Sequence, residues 1–201
     1  MHLEPGVLLI LFFSIILHEV SHGYIAYLNG DPTAKRMNRL TLNPVSHIDP
    51  FGSILLPLVL VIAGSPFLIG WAKPVPFNPF NFRNRRIGLF TVAAAGPLTN
   101  LALASFFAWT LSKVGAGMQL SPILLYGVSI NVVLALFNLI PIPPLDGSRI
   151  VSVLLPVRFQ RFFLSLDRLG LVLLIVLLYT GVIHRVLVPL YEWGLAFFGI
   201  S

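Results

Sequence analysis

The 201-residue chain is 57% apolar and 10% charged, with a mean hydropathy of +0.91, far from the roughly half-apolar, quarter-charged make-up of soluble domains. Thirteen basic and seven acidic residues cannot solvate the surface that so much apolar mass would expose, which excludes a soluble enzyme, a nucleic-acid binder and a disordered segment and places the chain in a membrane. The net charge of +6 then reports which loops stay in the cytoplasm rather than a nucleic-acid partner, and the lack of Cys excludes disulfides, thiol nucleophiles and Cys-ligated zinc.

In chain order, a first apolar stretch from about Pro5 to Leu28 is long enough to cross a hydrocarbon core of roughly 30 Å. It is read as mature protein and not as a signal peptide, since no base precedes it and it carries His18, Glu19 and His22. Asn29-Gly30-Asp31-Pro32 stops it. Residues 33–50 are polar and basic, and the alternation in Arg39-Leu40-Thr41-Leu42 predicts irregular or hairpin structure at the membrane surface. The next apolar stretch, 51–69, contains Pro57, Gly64 and Pro66 and is ambiguous between a span and a re-entrant segment. A Pro- and Asn-rich loop over 71–86 follows. Helical spans are predicted from Ile87 to Leu111, from Pro122 to Ile140 and, after the break at Pro141-Ile142-Pro143-Pro144, from about Leu169 to Leu187. Between the last two, Arg158 to Arg168 with its interleaved Phe and Leu residues reads as an amphipathic surface helix. Trp71, Trp193 and Tyr191 fit an interfacial aromatic belt. The expectation is an all-α polytopic membrane protein, one domain over 1–201, with four to six transmembrane helices and a re-entrant or short-strand element after the first.

The chemistry concentrates in His18-Glu19-Val20-Ser21-His22. On a helix the two His, four residues apart, share one face, as two imidazoles on one ion require. Glu19 lies about 60° round from His22 at roughly 100° per residue, beside a metal without having to ligate it, which suits a general base. A surface ion pair is the bland alternative, but it is weakened by the cost of an acid inside a bilayer-length helix, about 2 to 3 kcal/mol or more. A catalytic zinc takes three protein ligands. Among the remaining donors Asp146 stands out, because it follows an apolar span in a segment whose prolines prevent regular helix; a turn at the membrane surface is its alternative reading. Asn138 and Asn100 place amides in apolar segments. Asn138 is read as an oxyanion or substrate-backbone contact, while for Asn100 tying helices together is the stronger reading. His47 and Asp49 are read as a loop hydrogen-bond network, with a second metal site as the rival, and His2 and His184 as interfacial.

His18-Glu19-x-x-His22, Gly96-Pro97-Leu98-Thr99-Asn100 and Asn138 through Gly147 resemble the three signature regions of the site-2 protease family of intramembrane zinc metalloproteases. Gly70-Trp71-Ala72-Lys73-Pro74-Val75-Pro76 and Leu42-Asn43-Pro44-x-x-His47-Ile48-Asp49 further resemble its compact bacterial and archaeal branch. The resemblance implies one zinc held by His18, His22 and Asp146, with Glu19 as catalytic acid/base. It implies cleavage of a transmembrane substrate helix within a prokaryotic plasma membrane, with Asn138 near the scissile carbonyl and Asn100 shaping the site. The chain has no room for the PDZ or CBS domains of larger relatives. A zinc-binding transporter and a helix-binding protein that does not cut are the alternatives. Few polar residues line the spans as a transporter needs, and Glu19 and Asp146, which a dead relative would lose, are both present.

Orientation follows from charge. If 51–69 re-enters, the ends of the first helix and of the 122–140 helix share a side with Lys35, Arg36, Arg39, Lys73, Arg83, Arg85, Arg86, Arg149, Arg158, Arg161 and Arg168, against Lys113 and Arg185 opposite. The positive-inside rule then sets the metal nearer the cytoplasm, with a polar path to it from that side. A substrate segment must unwind to be cut, and the stretches Arg39 to Leu42 and Lys73 to Phe77 are candidates to pair with it by strand addition.

Overall fold

A computed structural model of the chain describes residues 5–64, 70, 72–114, 121–156, 160 and 167–200. Its long elements are α1 (Pro5–Leu28), α4 (Arg85–Val114) and α5 (Ser121–Leu139). These three are long and apolar enough to cross a membrane. Short helices α2 (Thr33–Arg36) and α3 (Leu56–Ile62) lie between α1 and α4, and α6 (Asp146–Leu154), α7 (Asp167–Tyr179) and α8 (Val182–Phe197) follow α5. The span expected over 169–187 is two helices instead. Gly181, at φ 73°, breaks it, and α7 and α8 meet at a 75° bend. Counted as one span, the pair brings the number among the described residues to four, at the low end of the expectation.

α4 is the central helix and packs on α1, α5 and α6. Its buried face is made of small residues, among them Gly88, Ala93, Ala95, Gly96 and Ala104. Small side chains let helix backbones approach closely where lipid gives no hydrophobic drive for association. Ala104 joins Val128 and Val132 of α5 in one core cluster, against which Tyr191 and Leu195 of α8 pack. Leu145, Leu174 and Ile183 form a second cluster that holds α7 and α8 under the end of α5. Leu9, Phe12 and Phe13 on α1 and Phe106 and Trp109 on α4 face outward, as lipid-facing surface requires.

Helix directions follow from side-chain contacts. His18 and His22 of α1 bond Asn100 and Val92 of α4 in reverse order, so these helices are antiparallel. Gly6 lies against Ile123, and Ser14 bonds Asn131, so α1 and α5 run parallel and finish at the same end. At that end Arg83 N donates to Asn29 O at 2.9 Å, and Asn29 Nδ2 donates to Thr91 Oγ1 at 3.0 Å. The connection from 29 to 84 therefore leaves and returns at one end of the bundle, as the re-entrant reading expects. Within it, a π-type turn over Pro50–Leu55 leads into α3. Thirteen helical residues reach about 20 Å at 1.5 Å each, short of the roughly 30 Å a span needs.

No strand occurs among the described residues, so the short-strand alternative for this connection is corrected. Around Arg39 to Leu42 two of the backbone groups that a ladder would use are taken, since Arg39 N donates to Ala34 O and Thr41 O accepts from His47 Nε2. Thr41 Oγ1 accepts from Asn43 N, and Arg39 Nη2 donates to the carbonyls of Lys73 and Pro74 at 2.9 and 3.3 Å. Along Lys73 to Phe77 the donors for strand addition are reduced. Lys73 N is bonded to His47 O, Val75 N to Glu19, and Pro74 and Pro76 have none. The amphipathic helix expected over 158–168 falls, apart from 160, 167 and 168, outside the described residues, as do His2 and Trp71. Trp193 and His184 are exposed.

The loop frame is pinned by Asp31, fully buried just beyond α1. Its carboxylate accepts from Thr33 N (3.1 Å), Thr33 Oγ1 (2.5 Å), Asn78 N (2.6 Å) and Asn81 Nδ2 (2.7 Å). Burial alone would raise its pKa, but these four donors outweigh burial and hold the group below the ordinary carboxylate value. A depressed folded pKa gives stability that is present above the unfolded value near 3.9 and lost as pH falls through the folded one. Asp31→Ala is expected to cost about 3 kcal/mol at pH 7, with the gap between the two thermal midpoints narrowing below about pH 4; detergent-solubilised unfolding followed by circular dichroism across pH measures it.

Candidate metal centre

Two residues of α1 and the first residue of α6 meet inside the bundle. The Nε2 atoms of His18 and His22 are 3.1 Å apart, and each lies 3.2 Å from Asp146 Oδ2. All three side chains are buried, and theirs is the one such His/Asp/Glu group among the described residues. A helix places the His pair on one face four residues apart. Asp146 arrives because α5 ends at Leu139 and the chain turns sharply through Pro141 to Pro144. There Gly147 lies so close to the carbonyl of Leu139 that a Cβ on it would overlap that group.

The hydrogen bonds around the rings fix what the three atoms offer. His22 Nδ1 lies 2.7 Å from Val92 O, a carbonyl that only accepts, so Nδ1 carries the proton. His18 Nδ1 lies 2.5 Å from Asn100 Oδ1 and is protonated for the same reason. In neutral imidazoles both Nε2 atoms therefore present lone pairs. They converge on a carboxylate oxygen that is buried without a hydrogen-bond partner. Three facing lone-pair atoms repel one another unless a cation lies among them. Their spacing also fits, because two ligands about 2.05 Å from a tetrahedral ion stand about 3.3 Å apart. The donor set, two imidazoles and one carboxylate with Nδ1–H held from behind, suits zinc.

α4 makes the close approach possible. Val92, Gly96 and Asn100 recur every four residues and form a row on one face, bonding His22 and His18 at its two ends. Between them, a Cβ on Gly96 would lie 2.5 Å from His18 Nε2 and 2.6 Å from His22 Nε2, in the space where the ligand atoms meet. Gly96 thus permits the close approach of α4 to the two imidazoles. Pro97 itself leaves the Ala93 carbonyl without its helical donor.

Glu19 is half-buried beside this centre, and its Oε2 accepts from Val75 N at 3.0 Å. Asn100 is fully buried; its Oδ1 faces His18 and its Nδ2 donates to Asn131 Oδ1 at 2.9 Å. Asn138, in the last turn of α5, donates one amide hydrogen to Leu134 O at 2.9 Å. His47 and Asp49 stand apart from the centre in a loop network. His47 Nε2 donates to Thr41 O, and Asp49 caps the turn at Phe51 and Gly52. Sequence reasoning missed Asn131, Ser14 and Val75. Ser14 stands four residues before His18 and Asn131 seven before Asn138, so helical periodicity alone could have flagged both. Nothing local marks Val75.

A bundle of membrane-length helices around a His2Asp cluster defines an integral membrane protein with a candidate metal centre. Comparison with known proteins agrees: the signature of Peptidase family M50 matches residues 113–178, a stretch that includes Asn138 and Asp146. The chain is 38% identical over 201 residues to "Putative zinc metalloprotease YwhC" of Bacillus subtilis (strain 168), covering 96% of this chain and 88% of that protein. It is 29% identical over 191 residues to "Putative zinc metalloprotease Rip2" of Mycolicibacterium smegmatis, covering 94% and 72%. With "Putative zinc metalloprotease MJ0611" of Methanocaldococcus jannaschii it shares 44% identity over 61 residues, 30% of this chain and 32% of that one. No solved structure matches. The chain belongs to peptidase family M50, the site-2 protease family of metalloproteases.

Gly96→Ala tests the geometry. The added methyl must displace the imidazoles, so retained metal is expected to fall by more than about tenfold while helix content stays unchanged, as measured by elemental analysis of purified protein beside its circular dichroism.

Proposed function

We propose that the chain hydrolyses a peptide bond of a transmembrane substrate within the bilayer, using one zinc held by His18, His22 and Asp146 and Glu19 as acid/base. The observation that carries this reading is the convergence of the His18 and His22 Nε2 atoms and an Asp146 oxygen without a hydrogen-bond partner inside a membrane bundle. The names of the M50 relatives support zinc as the ion. A zinc ion there supplies Lewis-acid polarisation of the scissile carbonyl and activates water.

The residues of the chain do the rest. Glu19 takes the proton of the attacking water on its carboxylate and passes it to the nitrogen of the leaving amine as the C–N bond breaks. The Val75 N–H holds Oε2 and so fixes the carboxylate's direction. Asn138 has a second amide hydrogen beyond the one given to Leu134, and in this reading it donates to the substrate carbonyl as negative charge develops there. Asn100, whose carbonyl oxygen is committed to His18, acts as a positioning residue rather than an oxyanion donor. A cavity of about 430 Å³ adjoins Val75, with Phe77, Leu89, Arg149 and Val153 among its walls, and receives the unwound substrate segment. The expected location is a prokaryotic plasma membrane.

Glu19→Gln should retain zinc and lose cleavage of helical membrane substrates by about 10²–10⁴-fold. Asp146→Ala should lose more zinc than the roughly 10–100-fold that a missing outer-shell partner costs, and His47→Ala should keep it. Equal cleavage by Glu19→Gln, or full zinc in Asp146→Ala, removes the respective role.

Lys35, Arg36, Lys73 and Arg83 lie in the connection at the metal-site end and Lys113 at the other, which supports a site nearer the cytoplasm. The chain has no Cys, so a single Met37→Cys should react with a membrane-impermeant thiol reagent only from the cytoplasmic face, and Lys113→Cys only from the outer face. The reverse labelling pattern overturns this orientation.

A further inference from the structure

Behind His18 a chain of buried amides runs through three helices. Asn131, fully buried in α5, gives its two amide hydrogens to Gly127 O at 2.8 Å and Ser14 Oγ at 2.9 Å. The Gly127 carbonyl cannot donate, so the orientation of the Asn131 amide is fixed, with Oδ1 turned toward α4. That oxygen accepts from Asn100 Nδ2, and a reversed Asn100 amide would set two carbonyl oxygens face to face. Asn100 Oδ1 is thereby turned on His18 Nδ1, which must carry the proton. We propose that Asn131 is a positioning residue for the metal centre: acting through Asn100, it holds His18 as the Nδ1–H tautomer and keeps the Nε2 lone pair free for the ion. The inference rests on the reading of His18 as a zinc ligand.

The alternative tautomer is the natural competitor in this site. With Nε2 protonated, His18 would donate to Asp146 Oδ2 or His22 Nε2, 3.2 and 3.1 Å away, and the ion would have to displace that proton. If Asn131 loses its amide, Asn100 is free to turn its NH2 group toward Nδ1 and favour that state. A carboxylate at position 100 removes the choice, because an ionised carboxylate only accepts; carboxylate–histidine–zinc arrangements work in this way.

Two measurements test it. In the unaltered metal-free chain at pH 8, nitrogen NMR of ¹⁵N-histidine-labelled protein should find His18 protonated at Nδ1, and protonation at Nε2 overturns the proposal whatever the variants do. Zinc dissociation constants from chelator competition should rise about 10–100-fold in Asn131→Leu, with helix content and thermal midpoint checked alongside. Asn131→Ser serves where the leucine variant does not fold. Adding Asn100→Asp to the position-131 variant should return the constant to within about threefold of the unaltered protein, since the Nδ1 acceptor is restored without the relay. An unchanged constant in the single variant, or a double variant as weak as the single, shows that Asn131 only packs and overturns the proposal. Failure of the unaltered chain to bind zinc defeats the metal reading instead, and the histidine tautomer still decides the relay.

Discussion

The structure depends on the approach of α4 to α1 at Gly96. Two imidazoles inside a membrane bundle need hydrogen-bond acceptors behind them and an unobstructed space in front, and both come from one row on α4. Val92 and Asn100 take the Nδ1 protons, and Gly96 between them leaves out the one atom that would fill the meeting point. Because the helices are antiparallel, the earlier residue of the row serves the later histidine. Small residues elsewhere on α4 extend the same closeness, which explains how α4 also reaches α5 and α6.

Polar groups in apolar surroundings govern the remainder of the interior. An unpaired amide costs on the order of 2 to 7 kcal/mol in such an environment. His18, Asn100, Asn131 and Ser14 meet that demand collectively, each bonding the next across α1, α4 and α5. One chain of bonds therefore both ties the three spanning helices together and sets the direction in which each amide points. Among the described residues of the α-helices the exception is Asp146, whose Oδ2 is left without a hydrogen bond at the point where the His nitrogens converge, the position that the proposed ion would take.

Outside the spans, the loops are held by side-chain to backbone bonds in place of a sheet. Asp31 gathers the 78–81 turn under the end of α1, Arg39 grips the carbonyls of 73 and 74, and Asp49 caps the turn into α3. Their combined effect is to carry Val75 to Glu19. The basic loops and the Glu19 carboxylate are thus parts of one frame at one end of the bundle.

The sequence by itself determined the membrane class, because composition decides which solvent a chain can face. It also determined the His18/Glu19/His22 face, because four-residue spacing on a helix is a local property, and it marked Asp146 through the prolines that precede it. The spans at α1, α4 and α5 were legible to within a few residues for the same reason. Tertiary structure decided the rest. The break at Gly181 turns one apolar run into two helices, a choice that hydropathy cannot register because both halves remain apolar. The 39–42 alternation forms no strand, since a ladder needs a partner and Arg39 and Thr41 spend their bonds elsewhere. Periodicity places Asn131 on a face of α5, but its bond to Asn100 and that of Val75 to Glu19, 31 and 56 residues apart along the chain, come only from packing. Such contacts depend on which helix faces lie together in three dimensions, and no local pattern of residues encodes that.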